Sequence, residues 1–302
     1  MNADIRLEIE AKLERAKQMK EEEKVFRYNG ILYPTLMSPE ENLKASESFE
    51  ARPDDIVLVA YPKCGFNWMV GVILKIMAAV KVENKEVQDR LVPLLEFLNP
   101  GAQKSLSEVP SPRLLGTHMH PDNIPPSFAA QKTKILVIFR NPKDTMVSYY
   151  HFTNSSPMLP TAESWDKFYE EFMRGDVCLG SYFDHALAWE KRMDDPNVMI
   201  VTFEEMKRDL TEGIRQISNF FGFTLSEEQV QTISQESMFT TMKDGSKDKY
   251  GKMVNVIFRK GEVGDWKNHF SESQSQEMDV EFEKRLAGTK LGALLKYDTY
   301  CK

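Results

Sequence analysis

The sequence predicts an α/β fold, a doubly wound parallel sheet flanked by helices, and two observations predict it. Continuous apolar, β-branched runs at 56–61, 135–139 and 198–201 read as strands covered on both faces, the pattern of a parallel sheet. Segments of helical length stand between these runs, so strand and helix alternate along the chain. The 302 residues, 41% hydrophobic and 28% charged, have a globular composition, and no linker divides them, so 1–302 reads as a single domain.

At the N-terminus, Ile5, Ile9 and Leu13 recur at four-residue spacing, which predicts a helical extension over 1–24 with one narrow apolar stripe among charge pairs. The first strand, Ile56 to Tyr61, passes into a helix over 68–79. A short run at Leu114-Leu115 precedes the strand Ile135 to Phe139, and a helix over 142–152 follows. There Asn141 suits the N-cap and Pro142 the first turn. A helix over 181–193, a strand over 198–201 and a helix over 211–221, stopped by Gly222, complete the alternation. Residues 240–262, polar and rich in Lys and Gly, read as an irregular, lid-like segment.

The 39 basic and 46 acidic residues give a net charge of −7, which speaks against a nucleic-acid-binding face but permits a local basic pocket. Cys64, Cys178 and Cys301 are odd in number and widely spaced, so neither a disulfide framework nor a metal site is expected. The first residues lack an apolar signal core and no apolar run reaches membrane-spanning length, so the expectation is a cytosolic (cytoplasmic) protein with no membrane partner.

In an open parallel sheet, ligands bind beyond the carboxyl ends of the strands, so the residues that follow each run carry the chemistry. The first strand ends in YPKCGFNW, residues 61–68; the short run ends in Thr117-His118; the third ends in Arg140. The turn from Lys63 through Cys64, Gly65, Phe66 and Asn67 to Trp68 opens a helix whose free N–H groups favour an anion. It is not a Walker A loop, because Lys63 precedes the only Gly and no Ser or Thr follows. On spacing alone, an ordinary strand-to-helix loop is the favoured reading. Arg140 and Ser148 suit a phosphate fork, and an Arg140–Asp144 ion pair is the competing reading. Arg259-Lys260-Gly261 offers two cations and a glycine, while Trp68 and Phe239 offer aromatic faces to a base. His118 is the candidate general base. The Cys64 thiol reads either as inert or as acidified by Lys63 and the helix start.

Taken together, YPKCGFNW, Thr117-His118, ILVIFRNPKDTMVSYYHF and FRKGEVGDWK resemble the cytosolic sulfotransferase family, in order, over residues 56–270. The resemblance implies a P-loop-like sulfotransferase fold and 3′-phosphoadenosine 5′-phosphosulfate (PAPS) as sulfonate donor, with no metal. It implies that Lys63, Cys64, Gly65, Phe66, Asn67 and Trp68 hold the 5′-phosphosulfate, and that Arg140, Ser148, Arg259, Lys260 and Gly261 hold the 3′-phosphate. Trp68 and Phe239 would flank the adenine beside Phe203, Ser237 and Met238, with His118 and Lys63 catalytic. The implied acceptor is a small, largely apolar hydroxyl compound, phenolic or iodothyronine-like, with Tyr149, Phe152, Met253 and Ile257 as pocket candidates. Two alternatives stand beside this reading: a degenerate sulfotransferase that binds nucleotide without turnover, and a P-loop kinase.

Five positions depart from the family pattern. Cys64, Phe66 and Asn67 replace hydroxyl residues of the phosphosulfate loop, Gly116 stands where a lysine is common, and Phe203 where a tyrosine is. Backbone donors survive, but each lost side-chain bond to a charged group costs about 1.5–3 kcal/mol. A homodimer motif is only partly echoed from Lys267, with Ser271, Glu272 and Gln276 at its diagnostic places.

Overall fold

A computed structural model describes residues 11–80, 92, 94–245 and 254–302. Two strands that the apolar runs do not signal come first: β1 (Val25–Tyr28) and β2 (Ile31–Pro34) pair antiparallel around Asn29-Gly30, both at positive φ (49° and 81°), the geometry this dipeptide favours. The central sheet is parallel throughout. It contains β3 (Ile56–Ala60), β4 (Leu114–Thr117), β5 (Lys134–Phe139) and β6 (Val198–Thr202) in the order β4-β3-β5-β6. Every residue of β3 is buried, as a central strand with helices on both faces requires.

The helices fall where the alternation places them: Phe66–Ala79, Pro142–Ser155, Tyr182–Glu190 and Leu210–Phe221. Asn141 caps the second by accepting the Asp144 N–H at 2.8 Å, and Gly222 ends the fourth at φ 85°. Residues 11–18 are helical, and Leu13 packs against the small cluster of Ala16, Leu36 and Met158; Ile5 and Ile9 lie outside the described residues. The predicted irregular segment over 240–262 needs correction. Phe239–Gly245 and Val254–Ile257 are helical, with 246–253 outside the described residues. Its Lys and Gly content masked the apolar positions Phe239, Met242, Val254 and Phe258, which pack on the core.

Register brings the strand ends level. Val59 pairs with Thr117, Ala60 with Ile138, and Phe139 with Thr202, so the residues that follow each strand emerge along one edge. At the opposite edge Arg113 binds Asp55 through both carboxylate oxygens (2.5 and 2.7 Å), fixing the starts of β3 and β4. The C-terminal part of the chain is fastened to the start of helix Pro142–Ser155. Asp144 accepts the backbone N–H groups of Gly264 (2.7 Å) and Trp266 (3.0 Å), while buried Lys143 donates to Cys301 O and Ser275 Oγ, each at 2.7 Å. The Trp266 indole in turn donates to Tyr300 O at 2.9 Å.

Asp144→Ala strands two backbone donors that it now satisfies, and each buried orphan costs about 1–3 kcal/mol. The expected loss is about 3 kcal/mol in denaturant unfolding; a change under about 0.5 kcal/mol shows that the clamp contributes nothing.

Candidate active site

Four connections meet at the carboxyl edge of the sheet. The first leaves β3 through Lys63 (φ 68°) and Gly65 (φ 106°), and Gly65 begins helix Phe66–Ala79. Glycine is required there twice over: φ is left-handed, and a Cβ would stand 2.9 Å from the Phe203 ring. The free N–H groups of that helix start face the same edge. Lys63 Nζ lies 4.4 Å from the centre of the Phe152 ring, and desolvation, then the charges of Arg140 and Arg259, push its pKa down to about 7. Three cations therefore share one field.

The second connection carries His118. Its Nδ1 lies 2.7 Å from Ala60 O, and because a carbonyl only accepts, Nδ1 holds the proton and Nε2 keeps its lone pair. Desolvation, with repulsion from Lys63, pushes the ring's pKa down to about 4, so the imidazole is neutral at physiological pH. The Phe66 ring meets it edge-on at 4.9 Å.

The third connection carries Arg140, 6% exposed. It donates from Nη2 to Glu262 O at 2.7 Å, lies 4.0 Å from Asp144, and stacks its guanidinium 4.7 Å over the Phe203 ring. Both readings of Arg140 thus meet at one residue, since the Asp144 contact is long and Nε stays uncommitted. Ser148 is buried farther along the same helix. The fourth connection, after β6, supplies Phe203, which packs at 5.1 Å against the Trp68 ring. Trp68 Nε1 donates to Ser237 O at 2.7 Å, drawing in the end of helix Glu227–Glu236.

Arg259 and Lys260 arrive from the far end of the chain, each donating at 2.6 Å to Asp265, an acid the motif reading left without a role. Although burial opposes it, these two bonds hold the Asp265 carboxyl well below the usual range. Gly261 (φ 66°) lies under the Phe239 ring, 2.3 Å from where a Cβ would stand. Met238 is 54% exposed, its side chain turned to solvent, and Asn67 is half-buried at the helix start. Arg140 Nε, Arg259 Nε and Ser237 Oγ are buried with no hydrogen-bond partner among the described residues. Buried polar atoms are ordinarily partnered, so these three remain open to a polar partner, as do Glu204 Oε2 and several buried atoms elsewhere in the fold.

Some expectations change. Cys64 is fully buried beside Thr145 Oγ1 (3.6 Å), and burial pushes its pKa up to about 12 against the lowering by Thr145 and Arg140, the direction opposite to acidification. Tyr149 is a core residue whose hydroxyl donates to Cys178 O at 2.7 Å, so it does not line a pocket, while Phe152 does face Lys63. Ile257 packs against the core and Met253 lies outside the described residues. Sequence reasoning missed Glu96, fully buried beneath Thr117-His118, because a lone acid in the single 3-10 turn Leu95–Phe97 has no motif.

Two departures prove to be one feature. A Cβ on Gly116 would stand 2.3 Å from the tip of the Phe66 ring, so the aromatic fills the space that a side chain at 116 would need. Among the described residues, no three His, Cys, Asp or Glu side chains gather as a metal site, and no helix is long and apolar enough to cross a membrane.

With a cationic edge, a neutral imidazole and a glycine turn at a helix start in place, comparison with known proteins gives the class: residues 53–290 match the sulfotransferase domain, and the chain belongs to the sulfotransferase family. It is an enzyme of sulfonate transfer. Among its relatives, sulfotransferase 6B1 of Danio rerio is 55% identical over 295 residues, covering 98% of this chain and 99% of the other. Sulfotransferase 6B1 of Homo sapiens is 47% identical over 294 residues (97% and 96%), and human sulfotransferase 1C2 is 35% identical over 273 (85% and 92%). The crystal structure of mouse sulfotransferase SULT7A1 complexed with PAP superposes with a TM-score of 0.81 at 34% identity, covering 91% of this chain and 99% of that one.

Overpacking a full core site costs about 1–3 kcal/mol. Gly116→Ala is expected to destabilise by that amount, and by at least about 1 kcal/mol less when Phe66→Ala is also present. Strict additivity in the double-mutant cycle removes the compensation.

Proposed function

We propose that this enzyme transfers the sulfonate of PAPS to the hydroxyl of a small, largely apolar acceptor, a phenolic or iodothyronine-like hydroxyl being preferred. The observation that carries the reading is the set of uncommitted buried polar atoms, Arg140 Nε, Arg259 Nε and Ser237 Oγ, on residues that the family resemblance assigns to the nucleotide. The related mouse structure contains PAP, the desulfated form of that nucleotide, which supports the same donor here.

When bound, the donor supplies the sulfonate, whose bond to the 5′-phosphate breaks as the acceptor oxygen joins sulfur. Lys63 and the N–H groups from Cys64 to Trp68 offset charge gathering on the departing phosphate oxygen. Arg140, Ser148, Arg259, Lys260 and Gly261 hold the 3′-phosphate, which calls for Arg259 and Lys260 to share their charge between that anion and Asp265. Trp68, Phe203 and Phe239 present apolar faces to the base, beside Ser237 and Met238. His118, neutral with Nε2 bearing the lone pair, receives the acceptor's proton at that atom. Phe152 beside Lys63 supports an apolar, aromatic-tolerant acceptor pocket.

His118→Ala should lower turnover at least about 100-fold in a labelled-sulfonate assay over a panel of phenols, while PAP binding by calorimetry stays within about twofold. Arg140→Ala should weaken PAP binding at least tenfold. Wild-type turnover in His118→Ala overturns the assignment of the base, and PAP binding without turnover on any acceptor by the wild type favours the degenerate reading.

A second test reads charge directly. Lys63, down at about 7 in the free protein, regains its proton when an anion settles beside it, because a nearby negative charge raises a lysine pKa. Binding of PAP at pH 8 is therefore expected to take up protons, measured as buffer-dependent enthalpy. Lys63→Met should abolish the uptake, and no uptake by the wild type removes Lys63 from the anion site.

A further inference from the structure

A buried ionisable group, Glu96, lies beside the site. Glu96, 0% exposed, accepts the His118 backbone N–H at 2.7 Å with Oε1 and the Thr117 hydroxyl at 2.8 Å with Oε2. Thr117 Oγ1 itself accepts the Met119 N–H at 3.0 Å, so its own proton is committed to Glu96. Both oxygens are therefore met by donors, which is the hydrogen bonding of a carboxylate rather than of a carboxylic acid. Both donors are neutral groups. A buried carboxylate met only by neutral donors carries a large desolvation cost, which a cation forming nearby offsets.

We propose that Glu96 is the positioning residue for His118: it fixes the peptide that sets the ring over the site, and its buried charge stabilises the imidazolium formed when Nε2 takes the acceptor's proton. The Ala60 carbonyl holds the opposite edge of the ring at Nδ1, so peptide and ring are fixed from two sides. Burial, offset in part by the His118 and Thr117 hydrogen bonds, leaves Glu96 at about 7 in the free protein. The titratable neighbours are Tyr33, whose phenol burial and then Glu96 push up to about 12, and, around the His118 ring, Lys63 and the neutral, buried His185.

The inference rests on His118 being the base, and the experiment separates the two. Glu96→Gln keeps the shape and removes the charge. It is expected to lower kcat about tenfold or more with KM for PAPS within about twofold, and to flatten the limb of the kcat profile near pH 7, where the wild type loses the Glu96 charge by protonation, well above the pH at which His118 titrates. In a His118→Ala background the same change should have no further effect on kcat. A Glu96→Gln variant that loses only thermal stability, with kcat and pH profile unchanged while His118→Ala is inactive, overturns this inference alone. Wild-type turnover by His118→Ala overturns the underlying reading. Should Glu96→Gln fail to fold, Thr117→Val, which removes one donor, is expected to reduce kcat several-fold with KM for PAPS held; an unchanged kcat there also overturns the proposal.

Discussion

Three cations confined to one desolvated sheet edge are the constraint that organises this molecule. Burial first, and then repulsion from Arg140 and Arg259, depresses Lys63, and the fold must hold the three together before any ligand arrives. It does so with carboxylates set behind them. Asp265 grips Arg259 and Lys260, Asp144 stands near Arg140 while tying down the Gly264 and Trp266 amides, and Glu204 accepts from Asn141 at 2.7 and 2.9 Å just beyond Arg140. With these acids beside them, Arg140 and Arg259 each keep Nε without a partner among the described residues. Such an arrangement is costly to bury and is worth its cost where an anion completes it.

Much of this was legible in the sequence because backbone physics writes it locally. A strand buried on both faces must be apolar throughout, so 56–61, 135–139 and 198–201 declared themselves, and Asn141-Pro142 and Gly222 marked helix ends by cap chemistry alone. The site edge followed, since parallel strands place what comes after them on one side, and register confirms it for Ala60, Thr117, Phe139 and Thr202. What stayed hidden depends on contacts between residues far apart in the chain. Glu96 lies 22 positions from His118, and Asp144 and Gly264 are 120 apart. The hairpin around Asn29-Gly30 escaped because its strands are only four residues each and half-buried. Tyr149 was misread for a related reason: an aromatic in a site helix points inward or outward according to its turn, and this one points into the core.

Gly116 and Phe66 show how a departure from a family pattern is to be judged. Taken singly, each removes a polar side chain from the phosphosulfate region and suggests decay of function. In the fold they are one substitution in two places, a ring entering the volume that a side chain at 116 would fill and meeting the His118 imidazole edge-on. The wall beside the His118 imidazole is thereby aromatic, and burial with repulsion from Lys63 keeps that imidazole neutral.

The fastening of the C-terminal residues carries a consequence for how the protein is made. The loop that delivers Arg259 and Lys260 is docked through Trp266 and Lys143, and those two reach Tyr300 O and Cys301 O. During synthesis the sheet and its first helices emerge early and have the local contacts to collapse as a unit. The final contacts do not exist until the ribosome has placed residues 300 and 301, so the loop that carries Arg259 and Lys260 docks after the sheet has formed. A nascent chain stalled short of that point would carry an assembled core and an unfinished site.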